Sequence, residues 1–163
     1  MDRNVAIGLL RMAAAHRDAE VWLRPSGEQL VRLGLDALLA GVEAPSLFQL
    51  AGLGRNEYGE ARELFGRALE ELELLPLLPE ELADARWTVA RWWARRIVEG
   101  DLEPFAGALL IWEEAAAELG HPAELRRIVE LSRAVETRYE EDPIPRHIRG
   151  DIISAARDFL REA

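Results

Sequence analysis

The sequence predicts an all-α fold, and three observations predict it. Leucine and alanine dominate the apolar residues while valine, isoleucine and threonine are few, and unbranched side chains lose little rotamer freedom in a helix. Apolar residues recur at spacings of three and four, and no apolar/polar alternation survives more than a few residues. Glycines and prolines fall where helices of ordinary length would stop and start. With 163 residues, 49% apolar and 31% charged, residues 1–163 are expected to form one domain, a compact bundle of about seven to eight helices.

The first amphipathic run extends from about Arg3 to Leu23 and sets Val5, Leu9, Met12, His16 and Leu23 on one stripe. Pro25-Ser26-Gly27 ends it. Ser26 can cap a second helix over about 28–40, and Gly41 follows at the position where helices commonly turn left-handed. Pro45 opens a short third helix to about Ala51, after which Gly52 and Gly54 break the chain. Asn56 caps a fourth helix to about Leu74, with Ala61, Phe65, Ala68, Leu69 and Leu72 as its inward stripe. Pro76 and Pro79 bracket a connector.

The fifth helix covers about 79–99 and is closed by Gly100. Asp101 or Glu103 precedes Pro104, which opens a sixth helix that stops at Gly120. Pro122 starts the seventh, to about Asp142, burying Leu125, Ile128, Val129, Ser132, Val135 and Tyr139. Its acidic end, Glu140-Glu141-Asp142, opposes the helix dipole and should fray. Pro143 and Pro145 separate it from the last helix, about 145–162.

The fifth helix is expected to be central and is the richest in tryptophan. Leu82, Val89, Trp93 and Ile97 share one face, and Trp87, Ala90, Ala94 and Val98 share another. Only Asp84, Thr88, Arg91, Arg95 and Glu99 form a polar strip, so the helix should be covered on more than one side. A weaker pattern is an echo at 47 residues: Phe65, Ala68, Glu71 and Leu72 recur as Trp112, Ala115, Glu118 and Leu119. Its spacing is comparable to helical-hairpin repeats, but the general likeness of Leu/Ala/Glu helices accounts for it more simply.

Composition removes whole classes of chemistry. All 20 basic side chains are arginine and there is no cysteine. Schiff-base chemistry, a phosphate-loop lysine, thiol nucleophiles, disulfides and cysteine-ligated zinc are therefore excluded. Glu118-x-x-His121 has metal-ligand spacing, but Gly120 and Pro122 place His121 beyond the helix and no second such motif exists. His16 with Glu20, and His147 between Arg146 and Arg149, complete no ligand set, so no metal and no cofactor are expected. None of the four serines lies in Gly-x-Ser-x-Gly, and Ser26 and Ser46 have plain helix-start roles. An enzyme built on Glu113, Glu114 or His121 is the least favoured reading.

The net charge of −10 bears on partners. Residues 1–50 hold 5 Arg against 6 acids, 51–100 hold 7 against 10, and 101–163 hold 8 against 14. No basic segment stands out, so nucleic acid and anionic membrane are poor partners. Arg11 interrupts the apolar stretch from Val5 to Ala15, no apolar run approaches ~18 residues, and a cytoplasmic protein is expected.

Two surfaces are candidates for recognition. Arg91, Arg95 and Arg96 lie around Trp92 and Trp93 on the fifth helix, a combination enriched at binding hot spots, although tryptophans filling a core and arginines paired with Asp84, Glu99 and neighbouring helices are the simpler explanation. The connector supplies the other: Leu75, Leu77 and Leu78, with Leu74, surround Pro76 and either plug the core or form an exposed patch for a partner or a second subunit. The expected function is a non-enzymatic protein–protein interaction module (an adaptor, regulator or immunity-type neutraliser) whose acidic surface suits a basic protein, with a homodimer left open. The alternative is a helical bundle binding a small apolar or anionic ligand beside Trp87, Trp92, Trp93, Trp112, Arg91 and Arg95.

Overall fold

A computed structural model describes residues 1–20, 23–138 and 143–162. Among the described residues there are eight α-helices and no strand, in agreement with the all-α prediction of seven to eight helices. Tyr139 and the tract Glu140-Glu141-Asp142 lie outside the described residues. Contacts group the chain into two compact units, residues 1–75 and 76–163.

The first unit contains α1 (Arg3–Ala15), α2 (Gly27–Leu39), α3 (Pro45–Ala51), a 3₁₀ turn (Arg55–Glu60) and α4 (Ala61–Glu71). Its caps follow local chemistry. Asp2 accepts from the Val5 N–H at 3.0 Å, and Ser26 and Gln29 exchange bonds in a capping box at the head of α2. Gly41 adopts φ 86° after α2, where a side chain would be strained. Asn56 does not cap the fourth helix. The chain first makes the 3₁₀ turn, where the Glu57 carboxylate accepts from the Gly54 N–H at 2.7 Å, and α4 begins five residues later than Asn56. The α2 helix packs against α1, α3 and α4 around Leu10, Leu30, Leu47, Leu50, Phe65 and Leu69.

The first helix departs from the sequence reading in two ways. It ends at Ala15 rather than near Leu23. The side it buries is Ala6, Leu10, Ala14 and Ala15, while Val5, Leu9 and Met12 of the larger apolar stripe face solvent. Three alanines around one leucine allow close approach to α2 and α4, which a stripe of long side chains would prevent. In α4 the inward stripe is as expected, with Ala61, Phe65, Ala68 and Leu69 buried and Leu64 joining them.

The second unit contains α5 (Leu82–Val98), α6 (Pro104–Leu110), a π-helical turn (Ile111–Ala116), a 3₁₀ turn (Ala123–Leu125), α7 (Arg126–Glu136) and α8 (Arg146–Glu162). Within this unit α5 packs against α6, α8 and the π turn, but the cover on more than one side that its pattern implied is partial: Leu82 is exposed, and Trp87, Val89 and Val98 are half-buried. Ala90, Trp93, Ala94 and Ile97 are its buried residues, and Leu102, Ile111, Leu125, Ile128, Ile152 and Phe159 are buried elsewhere in the same unit. The α7 helix buries Ile128, Val129, Leu131, Ser132 and Val135, with Leu125 buried just before it, leaving its charged side outward.

Closeness between α5 and α6 depends on Gly107. A Cβ there would stand 2.5 Å from Ile97 Cδ1 and 2.8 Å from Leu102 Cδ2, so only hydrogen fits. The sixth helix runs on beyond Leu110, but its continuation is π rather than α: the Ala117 N–H reaches the Trp112 carbonyl five residues back, at 2.9 Å. Gly100 and Gly120 terminate with φ 81° and 75°, where the sequence placed stops.

Candidate functional site

The segment between Pro76 and Glu81 is non-helical, and α5 begins at Leu82 rather than near Pro79. Two prolines favour an extended backbone here, so the leucines between them have no helix face to follow inward. Leu77 is 95% exposed, Leu78 58% and Leu82 66%. Leu74 and Leu75, which precede Pro76 and belong to the first unit, are half-buried. Of the two readings of the connector, its second half therefore takes the exposed one. Glu80, Glu81 and Asp84 are exposed beside these leucines, giving an apolar centre with an acidic border.

Further along α5 the predicted Trp/Arg group divides. Trp93 is buried and fills the core. Arg96 is nearly buried and bonds to Glu99 at 2.7 Å and Asp101 at 3.1 Å, closing the end of the helix. Both residues are thereby committed to structure. Arg95 is exposed, and Arg91 and Trp92 are half-buried. The Arg91 guanidinium lies 5.8 Å from the Trp87 ring centre, and Trp87 stacks on Phe159 of α8 at 6.2 Å. Successive turns thus carry Asp84, Thr88, Arg91, Arg95 and Glu99 along one polar strip, exposed or half-buried, as the periodicity implied.

The other candidate residues sit apart from that strip. Trp112 is half-buried in the π turn under the Arg133 guanidinium, 5.2 Å away. Glu113 and Glu114 are exposed, and Glu114 offers its carbonyl to Arg86 Nη1 at 2.9 Å. Glu118 and His121 are exposed, with His121 beyond the turn at φ 57°. His147 is exposed on α8, and His16 caps α1 with Nδ1 2.8 Å from the Met12 carbonyl. Among the described residues no group of three or more His, Asp or Glu side chains is placed to hold a metal ion. No described helix is long and apolar enough to cross a membrane.

Sequence reasoning missed one surface feature in the first unit. An open groove of about 550 Å³ is lined by Arg17, Asp18, Gly59, Arg62, Glu63, Gly66, Arg67 and Glu70. Its arginines are already engaged: Asp18 meets Arg62 at 3.0 Å and Arg17 at 3.7 Å, and Glu63 pairs with Arg67. A spacing of 44 residues between Asp18 and Arg62 leaves no local signal. Comparison of the chain with protein-family models, with curated proteins and with solved structures finds no match.

Proposed function

We propose that this chain is a cytoplasmic, non-enzymatic protein-interaction module. The observation that carries the reading is the run Leu77, Leu78 and Leu82, exposed at the head of α5 and bordered by Glu80, Glu81 and Asp84. Large apolar side chains grouped in water and rimmed by one sign of charge are what a partner-binding patch needs. Pro76 and Pro79 restrict the segment before binding, which lowers the ordering entropy that a partner must offset. The acidic rim and a chain charge of −10 favour a partner with a basic border around an apolar face.

The test uses immobilised wild-type chain and a Leu77→Ser/Leu78→Ser/Leu82→Ser variant against cell lysate at low and high salt. A partner retained by the wild type and lost by the variant, with unchanged circular dichroism, supports the reading. Retention of nothing at either salt concentration removes it.

A further inference from the structure

We propose that residues 76–81 are a polyproline-II ligand, read by a partner domain whose groove is walled by aromatic rings and rimmed by basic side chains. The inference rests on the interaction reading above, and names the recognition mode and the partner's chemistry. Pro76-Leu77-Leu78-Pro79 carries its prolines three residues apart, which is the repeat of the polyproline II helix. Each ring fixes φ near about −65°, and the restriction on a residue before proline keeps Leu78 extended. Glu81, the last residue before α5, has φ −67° and ψ 123°, close to the about −75° and +145° of that helix. The chain bends at Leu75 and again at Glu80 and Glu81, so residues 76–79 form an unbent stretch of ~12 Å.

The backbone of this stretch is open to a partner. Residues 77–84 are all exposed. Among the described residues the N–H groups of Leu77, Leu78 and Glu80 find no backbone acceptor. Polyproline II has no internal hydrogen bonds and leaves its peptide groups to solvent or to a partner in the same way. Other modes of peptide recognition fit less well. Residues 76–81 are not helical, so docking as a helix in a groove is closed to them. Addition to a sheet edge needs N–H donors at alternate residues. Pro76 and Pro79 have opposite parity, so each edge of the stretch loses a donor.

The side chains define the groove. At three residues per turn Pro76 and Pro79 share one ridge, Leu77 and Glu80 a second, and Leu78 and Glu81 a third. Pro76 is half-buried, so its ridge is anchored at the start and offers Pro79, while both leucine ridges are exposed throughout. Proline and leucine present apolar surface, which the flat walls of an aromatic groove cover. Each leucine ridge ends in an exposed carboxylate one turn on, ~9 Å along the axis. A complementary groove therefore has apolar walls for Leu77, Leu78 and Pro79 and basic side chains beyond them for Glu80 and Glu81.

The immobilised full chain is titrated with purified WW domains and other proline-recognition domains, chosen with basic and with acidic groove rims. Basic-rimmed domains should bind, and an excess of polyproline peptide should displace them from the wild type. Acidic-rimmed domains should bind about tenfold more weakly or worse. Pro79→Ala leaves both leucines and both carboxylates in place and should weaken binding by about tenfold or more, with unchanged circular dichroism. Glu80→Gln/Glu81→Gln should weaken it at low salt and reduce its salt dependence. A panel in which no domain binds the wild type more tightly than Pro79→Ala, or binding that polyproline does not displace, overturns the proposal. A lysate partner lost by Leu77→Ser/Leu78→Ser/Leu82→Ser but retained by Pro79→Ala also overturns it, and leaves the interaction module standing.

Discussion

Ser46 is one of two buried polar or charged residues among those described, and its partner is 25 residues away. The Glu71 carboxylate accepts from the Ser46 hydroxyl at 2.6 Å and from the Ser46 N–H at 2.9 Å. The α3 helix has no side-chain cap of its own, so a residue at the end of α4 satisfies its first donors and places negative charge at its positive end. Ser46 reads in the sequence as a helix-start residue, and that is correct. Its carboxylate is invisible there, because no local spacing connects the two. Glu71→Ala should cost about 1–2 kcal/mol, since a buried hydroxyl and an amide lose their acceptor together. Glu71→Gln keeps one acceptor oxygen and should lose less. Urea unfolding followed by circular dichroism measures both, and equal stability for all three proteins would mean water replaces the carboxylate without loss.

Helix boundaries were legible wherever one residue's chemistry sets them: Ser26, Gly41, Pro45, Gly100, Pro104 and Gly120 act as the sequence indicates. What the sequence hides is set by packing between helices. The π turn at Ile111–Ala116 has no composition signal, and it is held from outside by Arg86 on the Glu114 carbonyl and by α5, α6 and α7. The orientation of α1 is hidden for a similar reason, because hydrophobicity favours burying Val5, Leu9 and Met12 whereas close packing favours the alanines. Gly107 shows how tight such packing is. Ile97 and Leu102, which would meet a Cβ there, are each about 1% exposed and have little room to retreat. Gly107→Ala should therefore destabilise by about 1–3 kcal/mol despite alanine's better helix propensity. Ile97→Val removes Cδ1, the nearest atom, and should recover part of that loss in the double variant. A double-mutant cycle by thermal unfolding decides the matter, and simple additivity would show that the α5–α6 contact is not the cause.

At the scale of the whole chain, the sequence correctly indicates an all-helical protein but not which helices share a core. Periodicity states that a helix has an inner side; it does not name the helix on the other side of the contact. Leu74-Leu75-Pro76-Leu77-Leu78 spans the point at which contacts divide the chain, and its two halves behave differently, half-buried before Pro76 and exposed after it. In the second unit Trp93, Ile97, Ile111, Leu125, Ile128, Ile152 and Phe159 are buried by partners drawn from α5 to α8 and the turns between them. The unit is larger than the ~55–65 residues at which many domains fold unaided. A fragment comprising residues 76–163 should accordingly remain helical and unfold in one cooperative transition, at a lower temperature than the full chain because a smaller core offsets less conformational entropy. Circular dichroism against temperature, with the combined emission of Trp87, Trp92, Trp93 and Trp112, measures it. A fragment with no cooperative transition would show that its core is completed by residues 1–75. A fragment that melts cooperatively while retaining the partner lost by the Leu77→Ser/Leu78→Ser/Leu82→Ser variant would place folding and recognition in the same half of the chain.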